Sequence, residues 1–240
     1  YIRDKIDFLI SLGYTKKDVI KMTKVSPSLY GLSKENIQDK MNFLISLGYT
    51  KLDVIKMTKL LPALYSYSKE YIRDKIDFLI SLGYTKLDVI KMTKLLPALY
   101  GYSKEYIRDK IDFLISLGYT KEDVIKMTKA LPALYGCSKD NIRDKIEYLK
   151  SVKLEFIVLC NPKYLIQSTK LTYARYKFLT EEKNNCISKE NYKKLFISNK
   201  QFENVYGISK QELLERYPYE KREKENDRLL IKVRNWWRKY

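Results

Sequence analysis

Residues 71–105 read YIRDKIDFLISLGYTKLDVIKMTKLLPALYGYSKE, and the same 35-residue unit starts with few changes at Tyr1, Asn36 and Tyr106, with a degenerate copy from Asn141. Its punctuation keeps the period: Gly13, Gly48, Gly83 and Gly118, then Pro27, Pro62, Pro97 and Pro132, with Pro162 arriving early. A recurrence of this length is one supersecondary module, which buries its apolar side only by stacking on neighbours. The sequence therefore predicts an all-α fold, an α-solenoid: a superhelical array of three-helix repeats of about 35 residues.

Within the unit, Ser68 is placed to cap a helix whose apolar positions Ile72, Ile76, Leu79 and Leu82 follow helical spacing up to Gly83. Glycine there suits the left-handed residue that closes a helix. Thr85 with Asp88 three residues on resembles a capping box with Asp in place of Glu, opening a second helix through Val89, Ile90 and Met92. That helix has to stop before Pro97, which lacks an N–H for a helix interior but suits a first helical position. Pro97-Ala98-Leu99-Tyr100 thus starts a short third helix. The order is long, medium, short.

The pattern loosens from about residue 151, where Ser151-Val152-Lys153 replaces Ser-Leu-Gly and Pro162 follows Pro132 by 30 residues. The expected organisation is near-identical repeats over 1–150, divergent terminal repeats or a cap over 151–219, and a charged linker with a final amphipathic helix over 220–240. In that last segment Leu229, Leu230, Val233, Trp236, Trp237 and Tyr240 share one helical face. It reads as a lid that folds back, with docking of a protein partner or of a membrane surface as the alternatives. The repeat is already running at Tyr1, so the sequence reads as a processed or trimmed piece of something longer.

Lys plus Arg number 47 against 29 Asp plus Glu, a formal net charge of +18. Such a charge asks for a polyanion, and no apolar run is long enough to suggest a membrane span. The chain holds no histidine, which removes the commonest general base and metal ligand together. Its three cysteines, Cys137, Cys160 and Cys186, have neither zinc-site nor disulfide-framework spacing. Asp74 recurs in every full unit and Asp77 in all but the second, where Asn42 stands, which a catalytic pair has no reason to do. Neither an enzyme nor a bound cofactor or metal is expected.

The stretch DKIDFLISLGYTKLDVIKMTKLLPALYGYS resembles the repeat of the mitochondrial transcription termination factor (mTERF) family. Asn161-Pro162-Lys163-Tyr164-Leu165, residues 171–179 (LTYARYKFL), Phe202 and residues 212–217 (ELLERY) resemble that family's closing segments. The resemblance implies an organellar protein, mitochondrial or alternatively of the plastid. It also implies a curved superhelix whose basic concave face binds double-stranded DNA or structured RNA, ribosomal RNA included, in transcription termination or regulation or in ribosome assembly. The units here are far more alike than is usual for such proteins, which suggests recent internal duplication.

Near-identity argues against base-by-base reading, because identical side chains read identical bases. The changing positions are few; Lys17, Leu52, Leu87 and Glu122 occupy one of them and Val25, Leu60, Leu95 and Ala130 another, and these are mixed or apolar. Repeated basic residues instead fit a regular backbone ladder. On the long helix Lys75 falls inside the apolar arc, between Leu79 and Leu82, so it either snorkels along packed neighbours or reaches into the groove between repeats. Lys5, Lys40, Lys110 and Lys145 are its equivalents and Arg175 its match in the divergent unit. These are expected phosphate contacts, which the resemblance supports. Arg73, Arg108 and Arg143, on the polar arc, are further candidates; the competing reading pairs them with Asp77, Asp112 and Glu147 four residues on. Lys56 and Lys59 read as a solvated face, and Tyr65, Tyr100 and Tyr135 as inter-repeat packing rather than base-stacking platforms. The function expected is nucleic-acid binding; the alternative is a solenoid scaffold for an acidic protein partner.

Overall fold

The computed structural model describes residues 2–219, and the charged linker and amphipathic helix expected over 220–240 lie outside the described residues. All regular structure among the described residues is helical. The chain divides into two compact units, Tyr1–Ile166 and the segment from Gln167 on.

The first unit is a solenoid of five modules. Its long helices are α1 (Ile2–Ser11), α3 (Lys34–Ser46), α5 (Lys69–Ser81), α7 (Lys104–Ser116) and α9 (Lys139–Ser151). Each is followed by a medium helix: α2 (Lys16–Val25), α4 (Lys51–Leu60), α6 (Lys86–Leu95), α8 (Lys121–Ala130) and the much shorter α10 (Phe156–Cys160). A 3₁₀ turn opened by proline closes each module, as at Pro97–Tyr100.

The predicted punctuation is what holds these elements in place. Ser68 accepts a hydrogen bond from the Tyr71 N–H at the start of α5. Thr85 and Asp88 close a reciprocal capping box on α6, so the shorter aspartate reaches as glutamate would. Gly83 ends α5 with φ +113°, and a Cβ built there would stand 2.8 Å from Cδ1 of Ile125 in the next module. The glycine thus serves the turn and the approach of its neighbour together. Ile72, Phe78, Leu79, Val89, Met92 and Leu99 form the buried side of that module.

Modules join through a chain of hydroxyls. Tyr14 Oη lies 2.7 Å from Tyr65 Oη and 2.5 Å from Thr58 Oγ of the following module, and Thr58 Oγ donates to the Val54 carbonyl at 2.7 Å. Each hydroxyl has one proton, so the order is fixed: Tyr65 donates to Tyr14, Tyr14 to Thr58, and Thr58 to the backbone. The same chain recurs at Tyr49, Thr93 and Tyr100, and at Tyr84, Thr128 and Tyr135. Burial pushes all six of these tyrosine hydroxyls up from their ordinary pKa. They remain neutral donors, as the chain requires. Beside it, Lys59, Lys94 and Lys129 pair with the capping-box carboxylates Asp18, Asp53 and Asp88 of the module before, at 2.9, 2.7 and 3.0 Å.

Residues 151–166 complete the fifth module within this first unit. Lys153 stands where the other modules have glycine and still takes a positive φ of 58°. In the second unit α11 (Thr169–Lys177) runs into a π-helical turn (Phe178–Glu182), and a 3₁₀ turn (Tyr192–Phe196), α12 (Asn199–Tyr206) and α13 (Lys210–Arg216) follow. Arg216 Nη1 straddles the Glu182 carboxylate at 2.9 and 3.0 Å, while Tyr217 donates to the same group at 2.7 Å.

Candidate nucleic-acid interface

The lysine ladder is regular, and it points inward across the module. Lys5, Lys40, Lys75 and Lys110 donate from Nζ to the carbonyls of Leu32, Tyr67, Tyr102 and Cys137. Each of those carbonyls immediately precedes the serine that caps the next long helix. Lys145 donates likewise to a backbone carbonyl, Leu165 O at 2.7 Å, three residues before the capping Ser168. All five residues are buried, between 2 and 7% exposed. Burial holds the ammonium groups of Lys40, Lys75, Lys110 and Lys145 below the ordinary lysine pKa. Of the two readings open to Lys75 in the sequence, reach into the groove is the one observed, and its terminus there is a backbone oxygen.

Arg175 holds the same place in the second unit. Its Nη1 donates to the Leu195 and Ile197 carbonyls at 3.0 and 2.7 Å, its Nη2 to Asn199 Oδ1 at 3.0 Å, and its guanidinium lies 4.5 Å from the Phe202 ring centre. Burial lowers its pKa as well. A guanidinium fork in place of an ammonium reaches three acceptors at once.

The arginines of the polar arc stand differently. Arg73, Arg108 and Arg143 do not pair with Asp77, Asp112 or Glu147. Their nearest carboxylates lie one turn back, Glu70 at 4.0 Å, Glu105 at 3.9 Å and Asp140 at 2.7 Å. Each guanidinium instead covers a phenylalanine of the preceding module: Arg73 over Phe43 at 4.8 Å, Arg108 over Phe78 at 4.7 Å and Arg143 over Phe113 at 5.1 Å. A ring presented by the neighbour competes well with a solvated carboxylate, because the stack loses little water. Sequence reasoning missed these phenylalanine seats. The signal was the phenylalanine that stands three residues after each of Lys40, Lys75 and Lys110.

Lysines at the first position of the long helices crowd the same rings. Lys69, Lys104 and Lys139 lie 5.7, 5.6 and 5.5 Å from the Phe43, Phe78 and Phe113 ring centres and pair with Asp39, Asp74 and Asp109 of the previous module at 2.6, 2.7 and 2.5 Å. The outer edge of the long-helix layer is therefore a repeating cluster of lysine, aspartate and arginine over a buried ring. The side chains of Arg73 and Arg108 remain 56 and 53% exposed.

The mTERF family model matches residues 1–117 and 79–203. The chain belongs to the mTERF family. That is a family of nucleic-acid-binding helical-repeat proteins, typically organellar and generally without enzymatic activity. No curated protein matches the chain. Within this mTERF protein no helix among the described residues is long and apolar enough to cross a membrane.

Proposed function

We propose that this mTERF protein binds duplex DNA or structured RNA, ribosomal RNA included, by phosphate contacts from the arginine row, and acts in mitochondrial gene expression at the level of transcription or of the ribosome. The observation that carries the reading is the recurrence, in modules three to five, of a guanidinium set on a neighbour's ring at Arg73, Arg108 and Arg143, the first two of them more than half exposed. A guanidinium fixed in that way loses little conformational freedom when it meets a phosphate, and its fork matches two phosphate oxygens. The charge of +18 supports the same conclusion through steering and counterion release.

The contact is to backbone, because the modules present the same guanidinium at the same register and carry no code. Within the ladder of Lys5, Lys40, Lys75, Lys110, Lys145 and Arg175, three members support binding indirectly: Lys40, Lys75 and Lys110 fix the start of the following long helices, on which Arg73, Arg108 and Arg143 ride. The test is a salt series against mixed-sequence duplex DNA and duplex RNA with Arg73, Arg108 and Arg143 changed together to Gln. The slope of log K against log salt becomes shallower by about 0.9 for each DNA phosphate that is no longer neutralised, about 2–3 in all. A slope unchanged by the triple substitution, or no duplex binding at low salt, overturns the proposal.

A further inference from the structure

Two of the positions at which the modules differ lie on one exposed side of the medium helices. Leu52 and Leu87 are each 58% exposed, and Leu60 and Leu95 are 70 and 69% exposed, with Val25 at 74% continuing the second row. On one helix Leu52 and Leu60 are two turns and about 12 Å apart. Their centres differ by about 80° around the axis, with Lys56 between them. Helices α2, α4 and α6 pack side by side, so equivalent rows lie about 8–10 Å apart. Modules two and three thus expose a four-leucine face. It is bounded by charge or small size at its flanks, since Lys17 and Glu122 replace the first leucine and Ala130 the second.

The charges around this face are not neutralised. Lys51, Lys56, Lys86 and Lys91 are exposed and form no ion pair among the described residues, whereas the carboxylates nearby in sequence, Asp53 and Asp88, are held by their capping boxes and by Lys94 and Lys129. Four exposed leucines have no use against phosphate. A face apolar at its centre and cationic at its border fits an amphipathic helix with leucine-type residues on one side and Asp or Glu along its edges. A second copy of this chain brings the same unpaired lysines and is repelled.

From this geometry we infer that the medium-helix face of modules two and three, centred on Leu52, Leu60, Leu87 and Leu95, docks an acidic amphipathic helix of a protein partner. It stands apart from the arginine row, so one chain holds nucleic acid on its long-helix edge and a protein on its medium-helix face. An 18-residue helix is about 27 Å long and spans both modules.

The probe is a fluorescent 18-residue amphipathic peptide with leucines on one side and glutamates on its flanks, titrated by anisotropy into the full chain at physiological salt. A matched peptide with lysine flanks serves as control. The acidic peptide is expected to bind, and to lose about tenfold or more in affinity when Leu60 and Leu95 are changed to Ser, because apolar contact area is removed while every charge stays. In that variant the duplex salt slope stays as in the parent, which separates this face from the arginine row. Four outcomes overturn the inference: no binding of the acidic peptide, equal binding of the lysine-flanked peptide, no effect of the leucine changes, or displacement of the peptide by duplex. Concentration-dependent dimerisation that the two serines abolish also overturns it, by giving the face to a second copy.

Discussion

Changing Lys75 to Met separates a structural from a binding role for the buried ladder. Methionine keeps most of the aliphatic stem, so packing against Leu79 and its neighbours is largely preserved. What is lost is a charge-assisted hydrogen bond to the Tyr102 carbonyl, of a kind that contributes about 1.5–3 kcal/mol. Part of this is offset, because the ammonium is held below its ordinary pKa by burial and its removal relieves that desolvation. The net cost expected is about 1–2.5 kcal/mol, which for a chain of this size lowers Tm by about 2–10 °C. Chemical denaturation and a thermal scan measure it, alongside the duplex salt series. The salt slope is expected to stay unchanged, since Nζ is bonded to the protein's own backbone. A variant as stable as the parent but with a slope shallower by about 0.9 would refute the reasoning and return the ladder to phosphate.

Three further outcomes follow from the joints. Gly83→Ala destabilises somewhat more than Gly118→Ala, by about 0.5 kcal/mol, because both have positive φ but only the first brings a Cβ to 2.8 Å from Cδ1 of Ile125, the end of a half-buried side chain that can shift; parallel urea titrations measure the difference. Tyr84→Phe breaks the bonds to Thr128 and Tyr135 and costs about 1–2 kcal/mol, whereas Tyr119→Phe is neutral or stabilising, since the Tyr119 hydroxyl is buried without a hydrogen-bond partner. Acid loosens the joints: the Lys59 ammonium and the Thr15 cap hold Asp18 at about 2, and at Asp53 the bonds from Lys94 and Thr50 outweigh burial to give about 2. A carboxyl whose folded pKa lies below its unfolded value contributes stability that is complete above the unfolded pKa. That part is lost as pH falls from about 4 to about 2, and circular dichroism across that range in parent and Lys94→Met follows it, the variant losing less.

The fold was legible because each boundary in a module is marked by a residue with one local job. Ser68, the Thr85–Asp88 box, Gly83 and Pro97 do in the structure what their chemistry requires of any helix. The interface was less legible, because its partners come from other modules. Helical spacing correctly placed Lys75 among apolar neighbours but says nothing about the Tyr102 carbonyl 27 residues later. It offered Asp77 to Arg73 as an i,i+4 partner and had no means to present the Phe43 ring, which arrives only when the module before is stacked. Lys56 is exposed, as its spacing indicates, but Lys59 is drawn to Asp18 by the same stacking. The tyrosines of the Pro-Ala-Leu turns were legible as packing; their ordered hydroxyl chain was not. The second unit was hardest: Arg175 keeps its register while the medium helix before its 3₁₀ turn is replaced by a π-helical turn and irregular chain.

One joint of the array differs from the others. Between the fourth and fifth modules the long-helix side keeps its pairings, with Lys139 on Asp109, Arg143 over Phe113 and Lys110 on the Cys137 carbonyl. On the medium-helix side Tyr119 lacks its threonine and tyrosine, Asp123 pairs with no lysine among the described residues, and nothing stands within 4 Å of a Cβ at Gly118. A linear array with nearest-neighbour coupling behaves like a row of magnets, and it demagnetises first where the coupling is weakest. The boundary between the fourth and fifth modules is therefore where a melting front stalls or starts, and the preceding modules, with their three complete hydroxyl chains, form the longest stretch that loses order in a single step.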